Sequence, residues 1–221
     1  MNPLAGATEF VSSVDSTFLF VFALSVLVFI GILVAMIYFV VKYSRKNNPH
    51  PEQIEGHIGL EITWSVVTLA IFMVIFYFGW TGWAQMEDVP EDAIPVRIEA
   101  RMWAWTFEYP NGVRVDTMHV PLGAAIRGDL VSMDVNHAFY VPAFRVKKDV
   151  LPSRQNVVWF RANLKGSYDV ACAEYCGLNH AYMYTKVVVH DTVDFRAWYD
   201  SVSVSQNKPL ADFFAAARGR Q

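Results

Sequence analysis

The sequence predicts a two-helix transmembrane hairpin joined to an all-β domain on the outer side of the membrane. Two long runs without a charged residue precede Glu87, and after Pro90 the pattern turns to short β-branched and aromatic runs separated by turn signals. A dense set of soft metal ligands lies near the end of those runs. Composition agrees, since 54% hydrophobic residues, 15% aromatics and a mean hydropathy of +0.25 over 221 residues are high for a chain with no membrane part. A formal charge of −3 with a pI near 6.0 lacks the basic footprint of a nucleic-acid binder, so no nucleic acid is expected as a partner.

Residues 18–41 carry no charge, and at about 1.5 Å per residue they exceed a hydrocarbon core of about 30 Å. Residues 62–86 form a second such run, bounded by Glu61 and Glu87. A signal peptide would be shorter and would follow basic residues, and the first run satisfies neither condition. Spans are therefore expected at about 18–42 and 62–86, with a connecting loop at about 43–61. Lys42, Arg45 and Lys46 follow the first span directly, whereas residues 1–17 contain no Lys or Arg. The positive-inside rule places the loop in the cytoplasm and both termini outside, including an N-terminal segment at 1–17. Pro49 and Pro51 interrupt helix between the spans.

Beyond Pro90, strand-like runs occur at 96–100, 103–109, 113–119, 130–135, 157–162, 168–171 and 184–189, with Pro110-Asn111-Gly112 as a tight turn. Short strands at this spacing predict an antiparallel sandwich or barrel over about 87–190. Asp191 is placed to cap a short helix running to Asp200, and residues 201–221, polar and rich in alanine, read as a surface tail.

The chemistry concentrates in Cys172-Ala-Glu174-Tyr-Cys176-Gly-Leu-Asn-His180-Ala-Tyr-Met183, which holds both cysteines of the chain. Two thiolates, an imidazole and a thioether so close together select copper or another thiophilic metal over magnesium or calcium. A single-copper electron-transfer site uses one cysteine, so the second thiol is a surplus. Two thiolates bridging two copper ions would use it, each metal then taking one imidazole and one weak ligand. The second imidazole must come from elsewhere. His50 and His57 lie in the cytoplasmic loop and His119 and His190 at strand ends, which leaves His137, within the dense stretch 134–142. A Cys172–Cys176 disulfide and a zinc site stand as alternatives. The first leaves His180 and Met183 unexplained, and zinc seldom recruits methionine.

On these residues the chain resembles subunit II of the haem–copper oxygen reductases, the cytochrome c oxidase family. The motif Cys-x-Glu-x-Cys-Gly-x-x-His-x-x-Met is complete from Cys172 to Met183, and residues 134–149 resemble the family's ligand-histidine strand. The resemblance implies a cupredoxin-like Greek-key β-barrel carrying the binuclear copper A centre. His137, Cys172, Cys176, His180 and Met183 would be side-chain ligands, and Glu174 would bind through its backbone carbonyl. It further implies that Trp103, with Trp105 nearby, receives electrons from cytochrome c or a cytochrome c domain, although Trp105 and Phe107 equally suit a barrel core. The Glu174 carboxylate would help hold a magnesium ion shared with subunit I, and a hard carboxylate suits that ion. Glu61 would stand at the cytoplasmic entrance of a proton channel, and it reads equally as a helix-start acid favoured by the macrodipole. Departures from the family pattern at Thr68, Met102, Ala138 and Ser153 remove no ligand.

The implied function is the electron-accepting subunit of a terminal respiratory oxidase in the cell inner (plasma) membrane. Electrons would pass from copper to haem in subunit I, where oxygen is reduced to water and protons are translocated; other oxidase subunits and the lipid bilayer complete the partners. A donor subunit of a nitric oxide reductase is the alternative; a copper-free structural subunit or a copper chaperone fits the complete ligand set and the hairpin less well. From Glu87 onward there are 16 acidic and 15 basic residues. Glu87, Asp88, Glu91, Asp92, Glu99 and Glu108 lie near Trp103 in sequence, so the donor meets either a clustered acidic patch or a mixed, largely apolar face. The basic residues Arg97 and Arg101 among them favour the latter.

Overall fold

The computed structural model describes residues 6–53, 55–210 and 213–215. It divides into two compact units, one of Asp15–Gly82 and one that joins the chain up to Val14 with the chain from Trp83 onward.

The first unit consists of the greater part of α1 (Phe10–Lys42) and α2 (Ile58–Glu87), both long and apolar enough to cross a membrane. Several of their hydroxyls are satisfied within the helix: Ser25 and Thr63 each donate to the carbonyl four residues back at 2.7 Å, and Ser65 does so at 2.9 Å. Without water to bond, a hydroxyl at membrane depth needs such a partner. Lys42 sits in the last turn of α1, where a cation meets the negative end of the helix dipole, and His57 Nδ1 accepts the Leu60 N–H at 3.1 Å at the start of α2.

Helix α1 begins eight residues before the expected span, and its first turn belongs to the β domain. Phe10 and Val11 are buried, with Phe10 edge-on to Trp159 at 4.9 Å. Thr8 bridges to Ala162 and donates its hydroxyl to the Phe144 carbonyl at 3.0 Å. The segment expected to be a separate outer N-terminus is thus, over residues 7–11, part of the domain core.

The β domain contains β1 (Ile94–Arg101), β2 (Ala104–Glu108), β3 (Arg114–Val115), β4 (Met118–Pro121), β5 (Ala125–Ser132), β6 (His137–Val141), β7 (Val146–Val150), β8 (Asn156–Arg161), β9 (Gly166–Cys172) and β10 (Tyr184–His190). Two five-stranded sheets have the orders β3-β2-β1-β5-β8 and β4-β10-β9-β6-β7. The sheets are mixed rather than wholly antiparallel, because β1 pairs in parallel with β5 and β4 with β10. The chain changes sheet at β4, β5, β6, β8 and β9, so sheet neighbours are often distant in sequence and can run the same way. Phe107 of β2 meets Phe139 of β6 across the interior, edge to face at 6.5 Å, and both are fully buried. Burial of each contributes about 1.5–3 kcal/mol. On β5, a Cβ at Gly128 would lie 2.6 Å from Ile98 Cδ1 and 2.9 Å from Val158 Cγ1, so the central strand passes its neighbours only as glycine.

Three sequence expectations are corrected here. The run 113–119 is two strands broken at Asp116 and Thr117, and the single ligand-histidine strand expected over 134–149 is two paired strands, β6 and β7. Helix α3 (Thr192–Ser205) outruns Asp200, and Asp191 at its N-cap makes no capping bond because its carboxylate pairs with Lys165. The expected surface tail is partly core: Phe213 is buried against Phe195 at 4.8 Å and Tyr199 at 5.5 Å. The Asn111 amide ties this segment down through Ser203 Oγ at 2.8 Å and the Pro209 carbonyl at 3.0 Å. Residues 211–212 and 216–221 of that tail lie outside the described residues.

A histidine pair joins β4, β10 and α3. His119 Nδ1 lies 2.7 Å from His190 Nε2, and the His119 ring stacks on Trp198 at 4.1 Å. Burial, and then the His190 charge, push His119 down to about 4 against the opposing Asp116, and burial also lowers His190. Both rings are therefore neutral near neutral pH and share one hydrogen bond. A histidine depressed on folding contributes stability above its unfolded value of about 6.5 and loses it as pH falls towards 4. The melting temperature of the full chain should fall between about pH 7 and about pH 5, and fall less in His119→Phe, which keeps the stack. Equal falls in both proteins would reject this role.

Candidate metal centre

Strand pairing builds the centre. His137 is the first residue of β6, Cys172 the last of β9, and Met183 immediately precedes β10. β6 pairs with β9 in the register Phe139↔Cys172, and β9 pairs with β10 in the register Ala171↔Tyr184. The loop from Cys172 to Met183 is closed by Cys172 N–H to the Met183 carbonyl at 3.1 Å and braced by Ala173 N–H to the Ala138 carbonyl at 3.2 Å. The three strands thus deliver their ends to one place.

The Cys172 and Cys176 sulfurs lie 3.7 Å apart. His137 Nδ1 is 3.7 Å from Cys172 Sγ, and the Glu174 carbonyl oxygen is 3.3 Å from the same sulfur. His180 Nδ1 is 3.5 Å and Met183 Sδ 3.8 Å from Cys176 Sγ. Two imidazole nitrogens, a thioether and a carbonyl therefore surround a sulfur pair, and all six positions singled out in the sequence meet. His137 and Met183 are fully buried, Cys172 and Cys176 nearly so, and His180 is half-buried. Both thiols are free, at a separation far beyond the roughly 2.05 Å of a disulfide. Among the described residues, His137, Cys172 and Cys176 are the one close cluster of His, Cys or carboxylate donors, with ligand atoms within 4.8 Å of one another.

The family described as "Cytochrome C oxidase subunit II, transmembrane domain" matches residues 5–80, and "Cytochrome C oxidase subunit II, periplasmic domain" matches residues 113–192. The "Alternative cytochrome c oxidase subunit 2" of Bradyrhizobium diazoefficiens is 30% identical over 219 residues, covering 85% of this chain and 79% of the relative. The chain belongs to the cytochrome c oxidase subunit II family. The "Cytochrome c oxidase subunit 2" of Alkalihalophilus pseudofirmus is 28% identical over 213 residues, covering 91% of this chain, which spans 62% of that relative's length. The crystal structure of the periplasmic domain of subunit II of cytochrome oxidase of Bradyrhizobium japonicum superposes with a TM-score of 0.52 at 29% identity. It covers 53% of this chain and 99% of that one, so the β domain here has the cupredoxin-like fold of subunit II domains.

Around this family's motif, the structure adds a residue that sequence reasoning missed. Asp134 Oδ1 lies 2.7 Å from His137 Nε2, and the carboxylate also accepts the N–H groups of Met102 at 2.7 Å and Val135 at 2.6 Å. Burial pushes the Asp134 carboxyl up, but the His137 hydrogen bond and the two backbone N–H groups outweigh it and hold the group below its ordinary value. A carboxylate at Nε2 keeps that nitrogen protonated and leaves Nδ1, facing the sulfur, as the free electron pair. The signal was present in the sequence as an acid three residues before the histidine.

The two tryptophans separate. Trp105 is almost fully buried, donating its indole N–H to the Met183 carbonyl at 3.4 Å and standing edge-on to Phe139 at 5.7 Å. Its burial fits the barrel-core alternative, and its indole remains tied to the metal loop through that hydrogen bond. Trp103 is half-buried, with its indole N–H on the Cys176 carbonyl at 3.2 Å. Its ring packs on Gly177, whose φ of +114° is backbone that favours glycine. The Glu174 carboxylate, expected to share a magnesium ion, is paired with Lys147 Nζ at 2.8 Å. Glu61 lies in the first turn of α2, in the other unit, and takes no part in the cluster.

Burial, and then the hydrogen bond to Cys172 and its charge, push the Cys176 thiol up to about 11, a preference that a bound cation reverses by stabilising the thiolate. Replacing Asp134 by Ala should free the His137 ring and weaken copper affinity about 10–100-fold, measured by competition titration of the full chain in detergent. Unchanged affinity would show that His137 is held by packing alone.

Proposed function

We propose that this chain holds a binuclear copper centre on its sulfur pair and serves as the electron-accepting subunit of a haem–copper terminal oxidase. The observation that carries the reading is the pair of free, buried thiols 3.7 Å apart, surrounded by two imidazoles, a thioether and a carbonyl. This donor set fits copper: soft sulfur and borderline nitrogen dominate, no carboxylate joins the close cluster among the described residues, and two thiolates serve two metals where one would suffice for a single ion. Such a centre, when loaded, takes up and releases one electron at a time.

The residues around it support that chemistry in distinct ways. Asp134 orients His137, and Trp105 fixes the Met183 carbonyl from below. His137, Cys172 and Met183 sit at the ends of paired strands and the loop between them is closed by the Cys172 N–H bond, so the site is stiff, and near-complete burial of Cys172, Cys176 and Met183 excludes water. Trp103 is the ring that joins solvent to the cluster through one hydrogen bond, which makes it the residue to receive electrons from a cytochrome c-type donor. Haem would lie in subunit I, where oxygen is reduced to water and protons are moved. The basic loop at Lys42, Arg45 and Lys46 supports an inner-membrane hairpin with the β domain outside. If Glu174 shares a magnesium ion with subunit I, Lys147 must first release its carboxylate.

The full chain, purified and supplied with copper under reducing conditions, should bind two copper ions and then give an electron resonance signal spread over both nuclei; a blue single-copper spectrum would overturn the reading. In the assembled oxidase, Trp103→Leu should lower the rate of electron uptake roughly tenfold or more while leaving the copper signal intact. Loss of copper in that variant would make Trp103 a core residue instead.

A further inference from the structure

Two clefts share the side chains of Phe10 and Trp159, where the start of α1 and the end of α2 meet β8. The smaller, of about 250 Å³, is also lined by Trp83, Met86, Glu87, Lys147 and Lys148. The larger, of about 530 Å³, is also lined by Glu9, Gln85, Asp88 and Pro90. All of these residues belong to the unit that contains the β domain. Trp83 and Met86 lie in the last turns of a helix long and apolar enough to cross a membrane, so the clefts stand where that span emerges. Tryptophan gathers at this level of a bilayer because its ring is apolar and its N–H is not.

The Trp159 N–H is out of place in such a setting. Only 8% of the residue is exposed, and Nε1 has no hydrogen-bond partner among the described residues. Phe10, packed against the ring at 4.9 Å, carries no acceptor atom in its side chain. A buried indole donor left without an acceptor costs its whole desolvation, and native structures rarely leave one so. Indole can only donate, so whatever satisfies it must bring an acceptor oxygen or nitrogen.

The charges around the ring are of both signs and are divided between the clefts. On the smaller, Lys147 and Lys148 outnumber Glu87; Lys148 is paired with that acid, but its ammonium has three donors to offer. On the larger, Glu9 and Asp88 are the charged groups among the described residues. Arg161 reaches Glu9 at 3.9 Å and Asp92 at 3.5 Å, and Asp88 has no ion pair among the described residues. Burial outweighs Arg161 and raises the Glu9 carboxyl above its ordinary value, so this acid lacks a full counter-charge.

We infer that the two clefts hold the headgroup of one phospholipid bearing a phosphate and a primary ammonium, drawn from the leaflet on the side of the β domain. Its phosphate accepts from Trp159 Nε1 and from Lys148, and its ammonium lies against Asp88 and Glu9. A free anion would use the smaller cleft alone, and a metal cation would satisfy the acids but not the indole. A zwitterionic head at a membrane surface answers all three features together. The site is separate from the sulfur cluster and does not depend on copper.

The test uses the full chain, purified in mild detergent, stripped of lipid and titrated with phosphatidylethanolamine, phosphatidylcholine or phosphatidylglycerol of one acyl composition. Bound lipid is counted by native mass spectrometry. One phosphatidylethanolamine should bind, about tenfold tighter than either of the others, because choline has no N–H to donate and glycerol no positive charge. Trp159→Phe, which keeps a ring without the donor, should weaken it about tenfold. Asp88→Asn, at an exposed position, should remove the preference for ethanolamine over choline, and it carries the test if the core variant fails to fold. Equal binding of the three lipids, or an unchanged preference in Asp88→Asn, would mark the lipid as adventitious and overturn the inference. Displacement of the lipid by inorganic phosphate would assign the smaller cleft to a soluble anion and overturn it as well. Retention by the full chain but loss from the assembled oxidase would give the clefts to a neighbouring subunit, with the same consequence.

Discussion

Two buried sulfurs can be kept 3.7 Å apart without a covalent bond only if the chain on both sides is fixed, and much of the β domain serves that requirement. Cys172 is fixed as the end of β9, paired to β6 on one side and β10 on the other. Cys176 hangs from the loop, and that loop is closed on itself by the bond from Cys172 N–H to the Met183 carbonyl. Trp105 holds the same carbonyl from the core, and Trp103 holds the Cys176 carbonyl from the surface side. Trp105 lies in β2 and Trp103 immediately precedes it, so this strand and the turn leading into it position the loop without contributing a ligand. A stiff donor shell of this kind suits a metal pair that changes charge by one electron with little movement.

The hairpin and the ligand loop were legible in the sequence for the same reason: each signal is local. A run of 24 uncharged residues, or four soft donors inside one loop, needs no knowledge of distant contacts. Choosing His137 required only elimination among six histidines. What escaped was set by tertiary context. The stretch 134–149 was read as one strand by resemblance only, and its second half escaped as a separate strand because in β7 Lys147, Lys148 and Asp149 mask the two buried valines at its ends. The parallel pairing of β1 with β5 depends on sheet crossovers that no local pattern encodes. Phe213 was averaged away in an alanine-rich segment, yet a single aromatic anchor suffices to bring that segment into the core.

Asp134 shows how one side chain can serve several ends at once. Its carboxylate sets the tautomer of His137, and its bond to the Met102 N–H pins the backbone directly ahead of Trp103. The histidine on the metal side and the ring on the solvent side are therefore registered to a common carboxylate. A charge so used is also withdrawn from the surface. The same holds for Glu99 and Glu108, whose partner Arg114 arrives on the short strand β3 beside them.

This withdrawal of charge decides the character of the outer face more than the overall count does. A near balance of 16 acids and 15 bases is compatible with separate patches of opposite sign, but Arg97 and Arg101 among the six acids near Trp103 in sequence already favoured a mixed face. Pairing disperses them: Glu99 is buried between the half-exposed Arg97 and Arg114, while Glu87 and Asp92 bond to strands of the β domain through Lys148 and Arg161. The residues left at the metal loop are those with no ionic partner to find, Tyr175, Leu178 and Tyr182. Their exposure costs solvation in the free protein, a cost that a partner with an apolar face removes on binding.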